Sequence, residues 1–122
     1  MSPTTKPFEI KQLTKEDLST FKSLIDLFNM VFEEEPVSGE NGNLLKLLGS
    51  NNFIAMAAVS ENEVVGGLTA YELPMYHSES SEVFLYDLAV KPAYQRMGIG
   101  KKLIQNLKEY CIKNGIRASV AS

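Results

Sequence analysis

Apolar residues recur at two different spacings along the chain, and the spacings alternate in blocks. Residues 8–13 alternate apolar and polar side chains, which is typical of a β-strand with one buried face. Thr14 and Asp17 stand where a capping box starts a helix. The apolar residues that follow at helical spacing are Leu18, Phe21, Leu24, Ile25, Phe28 and Phe32. The pattern therefore predicts a first strand and then an amphipathic helix that runs to about Val31.

The middle of the chain predicts a second helix and a hairpin. The first helix is predicted to end at residues 33–36, which are three glutamates followed by a proline, because proline cannot continue a helix. Residues 43–48 form a short apolar stretch that predicts a second helix, with Gly49 at its end. Residues 53–59 are nearly all apolar, and residues 64–73 form another strand-like run after a polar turn. We expect these two runs to pair as a hairpin.

The last part of the chain predicts a strand, a loop, a helix and a final strand. Residues 82–90 are mostly apolar, which predicts a fourth strand that is buried on both faces and lies at the centre of the sheet. Residues 91–98 form a loop, residues 99–113 have helical apolar spacing, and residues 116–121 begin a fifth strand. The predicted fold class is α/β (α+β), a mixed central sheet flanked by helices, in a single domain over residues 1–122.

Composition excludes several classes of protein. The chain has 122 residues, of which 44% are hydrophobic and 22% charged, as is typical of a soluble globular domain. A net charge of −3 argues against nucleic-acid binding, which needs a concentrated basic face. Since no apolar run approaches the roughly 18 residues of a membrane span and no signal peptide is recognisable, we expect a cytoplasmic protein without a membrane partner. Single residues Cys111 and His77 are too few for a zinc site, so no metal is expected.

The segment between the fourth strand and the third helix has the features of an anion-binding loop. Free N–H groups at the start of a helix accept phosphate, and glycines let a ligand approach the backbone. Gly98 and Gly100 stand at this junction, and Arg96, Lys101 and Lys102 add positive charge. Gln and Leu occupy the positions where a Walker loop and a dinucleotide fingerprint would each need another glycine, so both motifs are excluded.

The pattern Gln95-x-x-Gly98-x-Gly100 resembles the acetyl-CoA signature of the GNAT acetyltransferases, which is Arg or Gln, two residues, Gly, one residue, then Gly or Ala. Other segments are similar to the type I aminoglycoside 3-N-acetyltransferases, namely residues 53–58, 64–74 and 86–90, and the likeness spans most of residues 20–115. The resemblance implies the GNAT fold and acetyl-CoA as cosubstrate. It also implies direct transfer of an acetyl group, in a ternary complex, to a small-molecule amine such as an aminoglycoside 3-amino group.

The same resemblance implies roles for individual residues. The backbone of Leu88, Ala89 and Val90 would pair with the pantetheine arm, and an amide near Leu88 would polarise the thioester carbonyl. The residues that would hold the cosubstrate at its pyrophosphate are Gln95, Arg96, Met97, Gly98, Ile99, Gly100 and Lys101. Asp87 would contact or deprotonate the acceptor amine, because a polycationic acceptor needs carboxylates. Further candidates are Tyr86 for catalysis and Glu72 and Glu82 for substrate contact.

Several alternatives stay open on the sequence. Cys111 is either an acyl-carrying nucleophile or a core residue, and its helical spacing with Leu107 favours the core. His77 is either a base or a solvated loop residue, and the acidic run 33–35 either attracts a cation or forms a solvated surface. Asp87 is alternatively a solvated strand-end acid. The acceptor is alternatively a polyamine, another small amine or a protein amine, and the chain is alternatively a non-catalytic acyl-CoA-binding module or a structural protein.

The sequence departs from the resembled family after the fifth strand. The family fold continues there with another helix and two strands, and often supplies a tyrosine that protonates the leaving thiolate. We therefore expect a fold truncated after its fifth strand, with no general acid that can be named. An exposed edge strand tends to pair with another chain, so a homodimer is predicted.

Overall fold

A computed structural model of the protein describes residues 7–35, 40–76, 79 and 81–121, with the backbone alone over 117–121. Within these residues, five strands form one mixed sheet in the order β1-β2-β3-β4-β5. The elements are β1 (Glu9–Gln12), α1 (Leu18–Val31), α2 (Asn41–Leu48), β2 (Phe53–Ser60), β3 (Glu63–Pro74), β4 (Ser81–Val90), α3 (Ile99–Lys113) and β5 (Arg117–Ala121). The predicted fold class and element order are confirmed.

The pairing of the strands corrects the predicted place of β4. Strands β1 to β4 pair antiparallel in succession, and β5 pairs parallel with β4. The centre of the sheet is therefore β3, and the prediction that β4 is central is wrong. Burial of β4 on both faces is wrong as well, since only Val83 and Ala89 are buried within this strand and Tyr86 is 71% exposed. An apolar run does not distinguish a central strand from one that lines a cavity.

Local signals start the first helix as predicted. Asp17 accepts a hydrogen bond from the backbone N–H of Thr14 at 2.8 Å, and the hydroxyl of Thr14 accepts one from the N–H of Glu16 at 3.3 Å. This capping box begins a short 3-10 turn that leads directly into α1. The ammonium of Lys11 lies 2.6 Å from the Asp17 carboxylate, and with the Thr14 N–H it holds the pKa of that carboxyl below its usual value.

Two adjacent glycines let the helices approach β3 from both faces of the sheet. Helices α1 and α2 cover one face, and α3 covers the other. A Cβ on Gly67 would stand 2.3 Å from Cδ1 of Leu24 in α1 and 2.7 Å from the carbonyl oxygen of Met56 in β2. A Cβ on Gly66 would stand 3.1 Å from Cγ2 of Ile99 in α3. The close packing of both helical layers on β3 therefore requires glycine, which has no side chain, at both positions.

We expect Gly67→Ala to lower the free energy of unfolding by about 1–3 kcal/mol, because the added methyl overpacks a core bounded by backbone. Urea unfolding measures this change. Gly42→Ala in α2 is the matched control, since its Cβ would meet nothing within 4 Å and alanine is favoured over glycine in a helix by about 1 kcal/mol. A Gly67→Ala protein as stable as the wild type would show that α1 is not packed on β3 as described.

Candidate active site

Strand β4 changes its pairing along its length. The register with β5 extends from Glu82 to Phe84. In the part of the chain that the structure describes, residues 85–90 therefore have no strand partner on that side. The predicted pantetheine-binding residues Leu88, Ala89 and Val90 lie on this open edge, which leads directly to the loop before α3. An unpaired edge offers its backbone groups to an extended ligand.

A β-bulge in the same stretch brings Tyr86 and Asp87 to one face of the sheet. Thr69 of β3 is opposite Asp87 and Ala70 is opposite Leu85, so Tyr86 is the extra residue of β4. Leu85 packs with the α3 cluster, whereas Tyr86 and Asp87 both line a cavity beside α1. Strict alternation along a strand would place neighbouring side chains on opposite faces, and the bulge removes that separation.

A cavity of about 310 Å³ opens beside Asp87, between α1, α2 and three strands of the sheet. Two carboxylates, those of Asp87 and Glu34, line it, and aromatic rings form much of its wall. The rings of Tyr71 and Tyr86 meet edge to face with centroids 5.7 Å apart. The aromatic side chains of the wall are Phe21, Phe28, Phe32, Phe53, Tyr71 and Tyr86. The cavity can therefore take a ligand that presents both cations and apolar surface.

The environment of Asp87 alters its acidity. This side chain is half buried, and burial raises the pKa of its carboxyl above the usual value, with a further contribution from the negative charge of Glu34. Among the described residues, no Lys or Arg forms an ion pair with either carboxylate. A carboxylate with a raised pKa is a stronger base than an exposed one, so Asp87 is suited to accept a proton.

Glu34 is held at the cavity by the turn that ends α1. Its backbone N–H donates to the carbonyl of Asn29 at 3.0 Å, which is the long bond of a Schellman motif. Glu33 occupies the left-handed position of that motif with φ 53°, where glycine is usual. Glu34 thus reaches the lining together with Asp87, whereas Glu33 and Glu35 are outside it. All three glutamates of the acidic run are exposed to solvent, and Glu34 is the one of the three that also lines the cavity.

The loop between β4 and α3 presents backbone N–H groups to solvent. Positive φ angles at Arg96 (67°) and Gly98 (82°) turn the chain into the helix, and the side-chain amide of Gln95 donates to the carbonyl of Val90 at 3.1 Å. No side chain caps α3, so the N–H groups of residues 98–101 have no partner within the helix. A Cβ on Gly98 would meet nothing within 4 Å, and this surface is open to a ligand. These features fit an anion such as a phosphate.

Some of the predicted loop residues can contact a ligand through their side chains, and others only through their backbone. Gln95, Arg96 and Lys101 are exposed, Met97 is half buried, and Ile99 is only 1% exposed, since it packs against the sheet. The Ile99 side chain therefore anchors the start of α3 in the core, and only its backbone N–H can contact a ligand.

The other predicted acids do not reach Asp87. Glu72 lies on the α3 face of β3, near Tyr110. Burial raises the pKa of the Tyr110 hydroxyl, and the negative charge of Glu72 raises it further. Glu82 stands at the start of β4 and lines neither cavity that Asp87 lines. The structure therefore brings together Asp87, Tyr86 and Glu34, and leaves the two remaining predicted substrate contacts apart.

The two remaining candidates are Cys111 as a nucleophile and His77 as a base. Cys111 is completely buried in the α3 core, and burial raises the pKa of its thiol, so the reactive thiolate is disfavoured. Its core-packing interpretation is confirmed. His77 lies outside the described residues. The described ranges hold no group of three His, Cys, Asp or Glu side chains arranged for a metal, and none of their helices has the length and apolarity to cross a membrane.

Sequence reasoning missed the walls of the cavity. Phe28 and Phe32, which stack with centroids 5.8 Å apart, were assigned to a core face by their helical spacing alone. For Phe32 the available signal was its position just before the acidic residue Glu33 at the end of the helix, and Phe28 had no such signal. Thr69 and Asn29 had no recognisable signal, because their place at the cavity follows from strand register and helix rotation.

A family model and several solved structures match this chain. Residues 18–122 match the model of the acetyltransferase (GNAT) family. The aminoglycoside acetyltransferase meta-AAC0020 from an uncultured soil metagenomic sample, solved in complex with sisomicin, is 41% identical with a TM-score of 0.90, over 94% of this chain and 76% of that chain. The aminoglycoside acetyltransferase HMB0005 from an uncultured soil metagenomic sample is 34% identical with a TM-score of 0.88, over 92% and 76%.

A more distant solved structure shares the fold alone. The aminoglycoside N-acetyltransferase AAC(6')-Iy in complex with CoA is 19% identical with a TM-score of 0.79, over 100% of this chain and 80% of that chain. No curated protein sequence matches the chain.

Proposed function

The chain belongs to the acetyltransferase (GNAT) family, and from that premise we propose that it transfers the acetyl group of acetyl-CoA to the 3-amino group of an aminoglycoside. The observation that carries the proposal is the course of β4. Its bulge turns Asp87 toward a cavity with two carboxylates, and its end leads into the loop that fits an anion. One strand thus joins a place for a cationic acceptor to a place for a phosphate-bearing cosubstrate.

The residues around the open edge of β4 fit acetyl-CoA. The backbone of Leu88 to Val90 would pair with the pantetheine arm, and the N–H groups from Arg96 to Lys101 would hold the pyrophosphate. Bound there, acetyl-CoA supplies an activated acetyl thioester. A backbone N–H of β4 near Leu88 would donate a hydrogen bond to the thioester oxygen, where negative charge develops during attack.

The proposed transfer is direct and takes place in a ternary complex. Asp87 accepts a proton from the acceptor ammonium, which frees the lone pair of the nitrogen. The nitrogen forms a bond to the acetyl carbon while the carbon–sulfur bond breaks and its electron pair leaves with sulfur. The nitrogen releases its second proton to solvent as the amide forms, and the CoA thiolate takes up a proton from solvent to become the thiol. Asp87 then returns its own proton to solvent. Burial of Cys111 argues against a covalent acyl-enzyme step.

We expect kcat/KM for acetylation to fall as the pH is lowered, with a midpoint above the ordinary aspartate pKa of about 3.9. Burial and Glu34 raise the pKa of Asp87, so this base becomes protonated at a higher pH than an exposed carboxylate. A pH–rate profile with saturating acetyl-CoA measures the midpoint. An unchanged profile in Glu34→Gln would contradict the described influence of the Glu34 charge on Asp87, because removal of that charge should lower the midpoint.

An acceptor panel tests the proposed function. The panel contains sisomicin and other aminoglycosides, the linear polyamine spermidine and a peptide with a free N-terminus, and NMR of each product identifies the acetylated amine. We expect acetylation of an aminoglycoside at the 3-amino group. Acetylation at another amine would overturn the proposed position, and preference for the peptide would overturn the proposed acceptor. Binding of acetyl-CoA without turnover would indicate a non-catalytic module.

A further inference from the structure

We infer that Glu34 is a specificity-determining residue that binds a second ammonium group of the acceptor, so that the protein selects acceptors with two or more amines. The inference rests on the proposed acetyl transfer and adds a rule for its substrates. It concerns a residue that neither the loop motif nor the strand pattern indicates.

The position of Glu34 relative to the reacting atoms is the first argument. Besides the aromatic cavity, a second cavity of about 520 Å³ is lined by Glu34, Asp87 and Leu88 together with two rings and Leu85. A backbone amide near Leu88 is predicted to polarise the thioester carbonyl. Glu34 therefore borders the space in which the acceptor nitrogen must meet the acetyl group, and it does so from α1 rather than from β4.

The way the chain holds Glu34 is the second argument. The Schellman turn fixes its backbone, and this turn requires Glu33 to adopt a sparsely populated left-handed conformation. The turn delivers a negative charge close enough to Asp87 to contribute to the raised pKa of that carboxyl. Two like charges beside apolar rings repel one another, and a cation at each carboxylate would remove the repulsion.

The surroundings of the two carboxylates favour two cations over one. Phe32 and Tyr86 line both cavities, and their ring faces attract ammonium groups. An acceptor with one ammonium would neutralise Asp87 and leave Glu34, at the solvent edge of the cavity, without a cation beside it. An acceptor with a second ammonium would pair with both, and the energy of that contact would appear in binding rather than in the chemical step.

The run of three glutamates supplies a matched test. Glu34→Gln and Glu35→Gln remove the same charge one residue apart, and both side chains are exposed, but Glu34 lines both cavities and Glu35 lines neither. With sisomicin as acceptor, we expect Glu34→Gln to raise KM about 10- to 100-fold with kcat little changed, as for loss of a charged hydrogen bond. Glu35→Gln should change KM by less than about twofold, because its charge lies outside both cavities and solvent and salt screen it from the bound acceptor. Glu34→Asp, which keeps the charge, should restore part of the loss.

Two results would overturn the inference while leaving acetyl transfer intact. Equal changes of KM in Glu34→Gln and Glu35→Gln would show that only the overall negative field matters. A best acceptor with a single amino group would show that no second ammonium is selected. Absence of turnover by the folded wild type with every acceptor is a separate result, since it removes the proposed function itself.

Discussion

Asp87→Asn is expected to lower kcat/KM for acetylation by about 10²- to 10⁴-fold, the usual loss when a general base is removed. The substitution keeps the shape of the side chain and leaves the anion-binding loop unchanged, so acetyl-CoA affinity should stay close to that of the wild type. Steady-state kinetics and calorimetric titration with acetyl-CoA separate the two effects. Glu82→Gln is the matched control, because it removes a carboxylate from the same strand outside both cavities.

The same variant should not lose stability at neutral pH. Because the folded-state pKa of Asp87 is raised, its contribution to stability is present at low pH and is lost as the pH rises through the folded pKa. Asn is never charged and avoids that loss, so thermal unfolding at pH 7 should give a Tm at or above the wild-type value. An Asp87→Asn protein with full activity would reject Asp87 as the base, whatever its Tm.

Gly98→Asp is expected to weaken acetyl-CoA binding by about 100-fold or more, whereas Gly98→Asn should weaken it by less than about tenfold. Asn and Asp both tolerate the left-handed conformation at φ 82° better than other side chains, and neither Cβ would meet an atom within 4 Å. The two variants therefore differ mainly in charge. The aspartate would occupy the positive end of α3 and repel the pyrophosphate.

Calorimetric titration with acetyl-CoA measures both Gly98 variants. Equal losses in Asp and Asn would indicate that backbone geometry and not charge governs the site. Unchanged affinity in Gly98→Asp would place the pyrophosphate somewhere other than the start of α3. Denaturation of each free variant confirms that the comparison is made between folded proteins.

Features with a local cause could be predicted from the sequence. Thr14 and Asp17 lie three residues apart, and their capping box needs nothing beyond that segment. Gly115 has a positive φ, as is usual for a glycine that follows the last turn of a helix such as α3. The loop of the candidate site was predicted for the same reason, since its glycines and the helix start are adjacent in the chain.

Features that depend on register across the sheet could not be predicted. The bulge at Tyr86 arises where β4 takes one residue more than β3, and the apolar pattern of either strand alone does not reveal it. Asp87 was therefore identified by resemblance, whereas its shared face with Tyr86 was not foreseen. The face on which Glu72 lies could not be predicted for the same reason, because it is set by pairing with Val83.

The role of Glu34 was hidden by an unusual turn. A Schellman motif is normally recognised by glycine in its left-handed position, and here that position is Glu33. The sequence therefore showed only an acidic run before a proline, which more often forms a solvated surface. The place of Glu34 beside the cavity that Asp87 lines follows only from the packing of α1 on the sheet.

Product analysis tests the proposed acetyl transfer most directly. The purified chain is incubated with acetyl-CoA and sisomicin, and mass spectrometry follows the aminoglycoside while a thiol reagent follows free CoA. We predict one acetyl group on sisomicin for each CoA thiol released, at a rate that depends on the amount of protein and is largely lost in Asp87→Asn. A folded protein that binds acetyl-CoA but forms no amide on sisomicin or on any other amine of the panel would contradict it.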